Sequence, residues 1–278
     1  MVSATHEVVR TRGGALAVRS LAEGEVMHPG VGPLVEAEQL YVRQSALAER
    51  LGEAGLRKLV LFDVGLGAGS NALCAWRQSE CAPPSAARLE LVSFERDMGA
   101  LALALAHGEA FAMTGAAAEA VRAILHVGHH ETARSSWRLH QCDVLDGLAR
   151  EPEQADIVFW DPFSPKNNPA LWTVAAFAAM HRRASPRATL FTYSASTATR
   201  VALLLAGWYV GVGDSIGTKA ETSAAARDPR DVRRPLDQSW LRRLWRAEVP
   251  LPPDAPADAA ERVARLPQFI VPKSPQRW

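Results

Sequence analysis

The chain has 278 residues, 48% hydrophobic and 22% charged, a balance that fits one large soluble domain or a domain with an appended lobe. A formal net charge of +1 excludes global attraction to polyanions, so any nucleic-acid contact must rest on a local patch. Three cysteines, Cys74, Cys81 and Cys142, without CxxC spacing, argue against a disulfide framework and a structural zinc site, and no metal is expected.

The N-terminal MVSATHEVVRTRGG lacks the apolar core of a signal peptide. The Ala-rich stretch 99–120 is broken by His107, Glu109 and glycines, which predicts a buried helix pair rather than a membrane span. A cytoplasmic protein with no membrane contact is therefore expected. After a turn-rich break, HPGVGPL, residues 35–55 read as largely helical, and residues 1–55 form an N-terminal extension.

Five apolar runs follow: KLVLFDVG, LELVSFE, SSWRLHQCD, ADIVFWD and RATLFTYS. Their continuity suits strands buried on both faces. Helical stretches such as SNALCAWRQ, WTVAAFAAMHRRA and STATRVALLLAG alternate with them, which predicts a mainly parallel α/β sheet with helices on both faces over residues 56–222. Residues 223–278 turn rich in Arg, Pro, Asp and Trp and read as an appendage.

Ligands of open α/β sheets lie beyond the carboxyl ends of the strands. Four of the five runs finish there on an acid, Asp63, Glu95, Asp143 or Asp161. Gly65, Gly67 and Gly69 follow the first run at every second position, giving a tight turn that a ligand can approach closely. The spacing is GxGxG rather than GxGxxG, and no GKS or GKT follows, which disfavours a dinucleotide or a P-loop nucleotide. S-adenosylmethionine is the remaining common ligand. Glu95 is placed to accept from both ribose hydroxyls, Asp143 from the adenine amino group, and Asp63 from the turn or the ligand ammonium. The bland reading of such acids is helix capping, which suits Asp63 better than Glu95.

The stretch IVFWDPFSPKNNPALW carries Pro162, Pro165 and Pro169, which impose a rigid irregular loop at the fourth strand end. Asp161-Pro162-Phe163 resembles the [DNS]-PP-[YF] loop of amino-group methyltransferases. Asp161 would accept an N–H of the nucleophilic amine, and Phe163 would offer a face to the cation formed on methylation. Lys166 is either a phosphate ligand or a solvated loop lysine. Asn167 and Asn168 read as turn and capping residues, and Trp172 as core.

Residues 158–196 resemble the bacterial methyltransferase domain that completes 5-methylaminomethyl-2-thiouridine at tRNA wobble uridines, whose pattern runs DGFSPAKNP-x-x-W and later TLATYTSA. GLGAGSNAL resembles that family's GFGTGLNFL, residues 34–47 its LAETRYVFLEGNGL, and GTKAE its GxKRE, so the similarity spans about residues 34–225. The resemblance implies a Rossmann-like class I methyltransferase fold, S-adenosyl-L-methionine as donor and the amine of 5-aminomethyluridine as acceptor. It carries over Gly65, Gly67, Gly69, Asn71, Glu95, Asp143 and Asp161, keeps Glu36 in the N-terminal segment, sets Tyr193 beside the substrate base and places Lys219 on the substrate side. Pro162, Ser45 and Ala220 depart from the pattern on the acceptor side. The FAD oxidase domain fused in many members is not in this sequence, so a separate enzyme is expected to supply the amine.

A tRNA surface is expected from Arg182 and Arg183 and from residues 227–246, where seven arginines interleave with Trp240 and Trp245. The opposing reading is a solvated helix face with both tryptophans in the core. Three functions thus stand beside one another: a tRNA wobble-uridine N-methyltransferase, a methyl- or aminopropyltransferase acting on a small amine, and a non-catalytic adenosylmethionine-binding protein.

Overall fold

The computed structural model describes residues 5–216, 220–246 and 251–270. The chain starts with a hairpin, β1 (His6–Arg10) and β2 (Leu16–Ser20), which forms a separate two-stranded antiparallel sheet. The sequence reading assigns no strand here, because five-residue strands are too short for alternation to stand out. The predicted helical stretch is α1 (Pro33–Glu36), a π-helical turn (Ala37–Arg43) and α2 (Leu47–Leu51), kinked where Ala46 adopts a left-handed φ of 53°.

The first two long runs become β3 (Lys58–Val64) and β4 (Arg88–Glu95), separated by α3 (Ser70–Glu80). The Ala-rich stretch folds as the expected helix pair, α4 (Gly99–Ala106) and α5 (Ala116–Val127). A short edge strand, β5 (His129–Glu131), turns back into β6 (Ser135–Gln141). Then come α6 (Val144–Arg150), β7 (Ala155–Trp160), α7 (Val174–Arg182), β8 (Ala184–Thr192) and α8 (Thr197–Leu205). The chain continues through β9 (Tyr209–Gly213), β10 (Thr222–Ala226), α9 (Gln238–Arg246) and α10 (Ala259–Ala264).

The central eight-stranded sheet runs β5-β6-β4-β3-β7-β8-β10-β9. All pairs from β6 to β8 are parallel, as the βα alternation requires, while β5, β10 and β9 join antiparallel at the edges. β10 straddles the expected boundary at residue 223 and belongs to the sheet. Strand pleating divides the core. Leu59 and Leu61 face α3, α4 and α5, whereas Val60, Phe62 and Val64 face α6, α7 and α8. The chain order reverses between β3 and β7, which opens a crevice at their carboxyl ends. No helix among the described residues is long and apolar enough to cross a membrane.

Candidate active site

A cavity of about 350 Å³ occupies that crevice. Its floor is the glycine turn. Gly65 has a φ of 87°, and a Cβ there would lie 2.8 Å from the Asp161 carbonyl oxygen, so only glycine lets the β3 turn pass the end of β7. The Gly65 N–H donates to the Phe94 carbonyl at 3.1 Å and the Gly67 N–H donates to Glu95 Oε2 at 3.0 Å. Glu95 Oε1 accepts from the Arg96 and Asp97 N–H groups at 2.7 and 3.1 Å. Three backbone donors thus fix this carboxylate at the cavity edge, with lone-pair capacity left for a ligand hydroxyl.

Asp143 lies two residues beyond β6 and also lines the cavity. Its Oδ1 accepts from the Leu145 N–H at 2.9 Å and so caps α6. Asp63, expected either to accept from the turn or the ligand ammonium or to cap a helix, does neither. It sits inside β3 with 0% exposure, accepts from the Ser93 hydroxyl at 2.9 Å and does not line the cavity. Burial, with the negative charges of Asp161 and Glu95, pushes its carboxyl up to about 7 against the pull of the Ser93 hydrogen bond.

The opposite wall is the proline-rich loop after β7. Asp161 Oδ2 accepts from Asn71 Nδ2 at 2.7 Å, which ties the first turn of α3 to the end of β7. The Tyr41 hydroxyl faces the same carboxylate from the π-helical turn, an irregularity frequent at functional sites. Burial and the Asp161 charge hold the Tyr41 and Tyr193 phenols well above their ordinary value, so both stay protonated. Tyr193 donates to the Pro162 carbonyl at 3.2 Å, and the buried Trp172 indole donates to the Phe163 carbonyl at 2.8 Å. These two bonds anchor the loop from the core side, and Phe163 lines the cavity.

The roof comes from the N-terminal segment, the expected extension or cap. Glu25 accepts from the Ser164 hydroxyl at 2.8 Å and from Asn167 Nδ2 at 2.6 Å, latching residues 20–30 onto the loop. Asn167 is therefore a latch residue rather than a cap; Thr173 caps α7 instead. Next to the latch, His28 stands between two acids, with Nδ1 3.6 Å from Glu36 Oε2 and Nε2 3.5 Å from Asp161 Oδ2. Glu36 is buried and its Oε1 accepts from the Gly30 N–H at 3.0 Å. No periodicity marks Glu25 or His28, since their partners lie far along the chain.

Gly65, Gly67, Glu36, Glu95, Asp143, Asp161, Phe163 and Tyr193 thus converge on one cavity, with Gly69 and Asn71 just behind the turn. Lys166 does not join them: it is exposed on the loop and does not line the cavity. Lys219 lies outside the described residues. Of the expected tRNA surface, Arg227 donates to the Ala184 carbonyl, Arg230 pairs with Asp228, Arg234 with Asp214, and Arg183 donates to the Ala149 carbonyl. Arg182, Arg233, Arg242 and Arg243 are exposed. Trp240 is buried against Phe269 while Trp245 is 54% exposed, so one tryptophan is core and one is not. No group of three or more His, Cys, Asp or Glu side chains could hold a metal ion among the described residues.

The lining carries seven carboxylates, of Glu23, Glu25, Glu36, Glu95, Asp97, Asp143 and Asp161, against one guanidinium, Arg96. Such a cavity suits a ligand that combines hydroxyl donors with positive charge, as the ribose, sulfonium and ammonium of S-adenosyl-L-methionine do. Gly67, on the floor, would bring a Cβ within 3.1 Å of Met27 Sδ in the roof, so the turn and the roof leave no room for a side chain between them.

Comparison with known proteins agrees with this geometry. A family of S-adenosyl-L-methionine-dependent methyltransferases matches residues 122–228. The chain is 32% identical over 209 residues to the tRNA 5-methylaminomethyl-2-thiouridine biosynthesis bifunctional protein MnmC of Azoarcus sp. (strain BH72), covering 73% of this chain and 33% of that protein. It is 30% identical over 238 residues to the MnmC of Ralstonia nicotianae, covering 83% of this chain and 34% of that protein. The chain thus spans about a third of the length of these curated relatives. Among solved structures, MNMC2 from Aquifex aeolicus superposes with a TM-score of 0.72 at 23% identity, covering 96% of this chain and 82% of that one. Spermidine synthase from Thermotoga maritima reaches 0.51 at 12% identity, covering 94% and 81%, a likeness of fold alone. The chain carries an S-adenosyl-L-methionine-dependent methyltransferase domain, with S-adenosyl-L-methionine as its cofactor, similar to part of the MnmC proteins.

Proposed function

We propose that the chain transfers a methyl group to a primary amine, the 5-aminomethyl group of the tRNA wobble uridine. The observation that carries this reading is the acid-lined cavity that joins the glycine turn to Asp161. A positively charged donor and a positively charged amine are both favoured there, whereas a carboxylate or phosphate acceptor is repelled. S-adenosyl-L-methionine supplies an electrophilic methyl on sulfur when bound. The chain's residues then bind and aim. Glu95 accepts from the ribose hydroxyls, Asp143 from the adenine amino group, and the Gly65–Gly69 turn with Asn71 receives the amino-acid part, near Glu36. Asp161 accepts an N–H of the amine and turns its lone pair toward the methyl, and Phe163 offers a face to the product cation. Tyr193 borders the base.

In this reading the N-terminal extension roofs the donor site, the sheet carries the chemistry, and the C-terminal appendage meets tRNA phosphates through the exposed Arg233, Arg242, Arg243 and Trp245, aided by Arg182. The relatives' printed names, which concern tRNA 5-methylaminomethyl-2-thiouridine biosynthesis, support tRNA as the acceptor. The test is incubation of the protein with labelled donor and tRNA lacking the terminal methyl, with a polyamine mixture in parallel, followed by mass analysis of wobble nucleosides. Label in the tRNA is expected. Label in polyamines alone would replace the acceptor by a small amine, and donor binding without transfer to either pool would remove the catalytic reading.

A further inference from the structure

We propose that His28 accepts the proton that the acceptor ammonium must lose before its nitrogen can attack, an inference that rests on the amine reading above. A primary amine reaches neutral solution largely as R–NH₃⁺ and has no free lone pair. Transfer needs one proton to leave first. The nitrogen then bonds to the methyl carbon while the carbon–sulfur bond breaks, its electron pair stays on sulfur, and the sulfonium becomes a thioether. The product is R–NH₂⁺–CH₃, and the proton rests on the base.

Asp161 orients the amine but is a weak base for it. Carboxylates ionise near 4, far below an ammonium, and Asn71 already donates to Oδ2 at 2.7 Å. Tyr41 and Tyr193 stay protonated, and Asp63 does not line the cavity. Imidazole titrates near the working pH, where a general base is most effective. His28 lines the cavity with Nε2 3.5 Å from Asp161 Oδ2, the oxygen expected to hold the amine. On its other side Glu36 Oε2 stands 3.6 Å from Nδ1 and is itself held by the Gly30 N–H. The two acids compete for the ring proton; once the amine's N–H groups occupy the Asp161 carboxylate, Glu36 holds the proton on Nδ1 and Nε2 faces the substrate as the acceptor. The ring leaves a backbone with a φ of 55°, a left-handed conformation that histidine adopts more readily than most residues. Among the described residues, the charged groups near His28 include Glu36 from α1, Asp161 from the end of β7, Asp63 from within β3, and Glu23 and Glu25 of its own segment on the same cavity; Tyr41 and Tyr193 adjoin Asp161. The donor's sulfonium adds positive charge to the same cavity and favours the neutral, accepting ring.

The test compares the pH dependence of kcat/KM for tRNA carrying 5-aminomethyl-2-thiouridine in the unmodified protein and in H28Q and H28A. General-base loss predicts a fall of about 100-fold at pH 7 that shrinks to under about 5-fold at pH 9.5, where the amine sheds its own proton, with partial rescue of H28A by added imidazole. Donor affinity, read by calorimetry, should change less than about 3-fold, which shows that the fold and donor site survive. A second readout needs no turnover. With S-adenosyl-L-homocysteine and the amine-bearing tRNA bound, ¹⁵N spectra of histidine-labelled protein should show His28 protonated at Nδ1 and accepting at Nε2, and E36Q should disturb that tautomer. A loss that is the same at every pH, no loss at all, or a proton fixed on Nε2 would overturn the proposal. If the unmodified protein methylates no amine, the amine reading falls and this proposal with it; a working enzyme with a pH-independent H28Q defect removes this proposal alone.

Discussion

The two walls of the cavity are built differently. On the glycine-turn side, strands β3 and β4 and the residues just after them hold the site through backbone N–H donors: Gly65 to the Phe94 carbonyl, and Gly67, Arg96 and Asp97 to the Glu95 carboxylate. On the Asp161 side, the groups arrive from separate parts of the chain, namely Glu25, His28, Glu36, Tyr41, Asn71 and Tyr193, and they meet mostly through side chains. A wall of backbone hydrogen bonds tolerates sequence change around it. A wall of converging side chains does not, and it is there that acceptor choice can be altered without loss of the donor.

The strongest way to break this contrast is Asp161→Ala. It should lower methyl transfer by about 10³-fold while donor affinity stays within about 10-fold, as read by single-turnover kinetics and calorimetry. An equal loss of both would mean that the two walls act as one.

Asp63 probes the floor beneath both walls. Its folded carboxyl titrates near 7 and its unfolded one near 3.8. Between those values the folded state keeps a proton that the unfolded state has released, so stability falls as pH rises from about 4 to about 7 and then levels. Asp63→Asn removes that loss and keeps an acceptor for Ser93. Chemical denaturation should find the variant no more stable than the parent near pH 4 and more stable above pH 7, by up to about 4 kcal/mol, the size of a three-unit shift. A constant difference across pH would exclude a buried, proton-holding Asp63.

The latch gives a smaller effect. Glu25→Ala removes the acceptor of the Ser164 hydroxyl and of Asn167, and should raise the acceptor KM by roughly 5- to 20-fold, about 1–2 kcal/mol, with kcat less affected. Least of all, Arg242→Ala and Arg243→Ala should each weaken tRNA binding a few-fold and lower the salt-dependence slope by about 1, with no change in donor affinity. An unchanged slope would take α9 out of the tRNA contact.

Much of the donor wall is legible in the sequence. Apolar runs ending on acids and a GxGxG turn are local signals, and they fall where β3, β4 and the cavity lie. The acceptor wall is legible only in part. Asp161 and Phe163 stand in a motif, but Tyr41 reads as one more apolar position in a helical stretch, and Glu25 and His28 read as loop residues. Their meaning comes from partners more than a hundred residues away, Ser164 for Glu25 and Asp161 for His28. The β1–β2 hairpin leaves a fainter mark, the Gly13-Gly14 pair between its two five-residue strands.

The sequence by itself determined the order of strands and helices and the place of the turn, because hydrophobic period and glycine freedom act over a few neighbouring residues. Only the tertiary structure decided what each acid does: Asp63 faces inward and holds a proton, Asp143 caps a helix while lining the cavity, and Asp161 shares its carboxylate with Asn71 and His28. Charge state and hydrogen-bond partnership depend on distance through space and on burial, and neither is written in spacing along the chain.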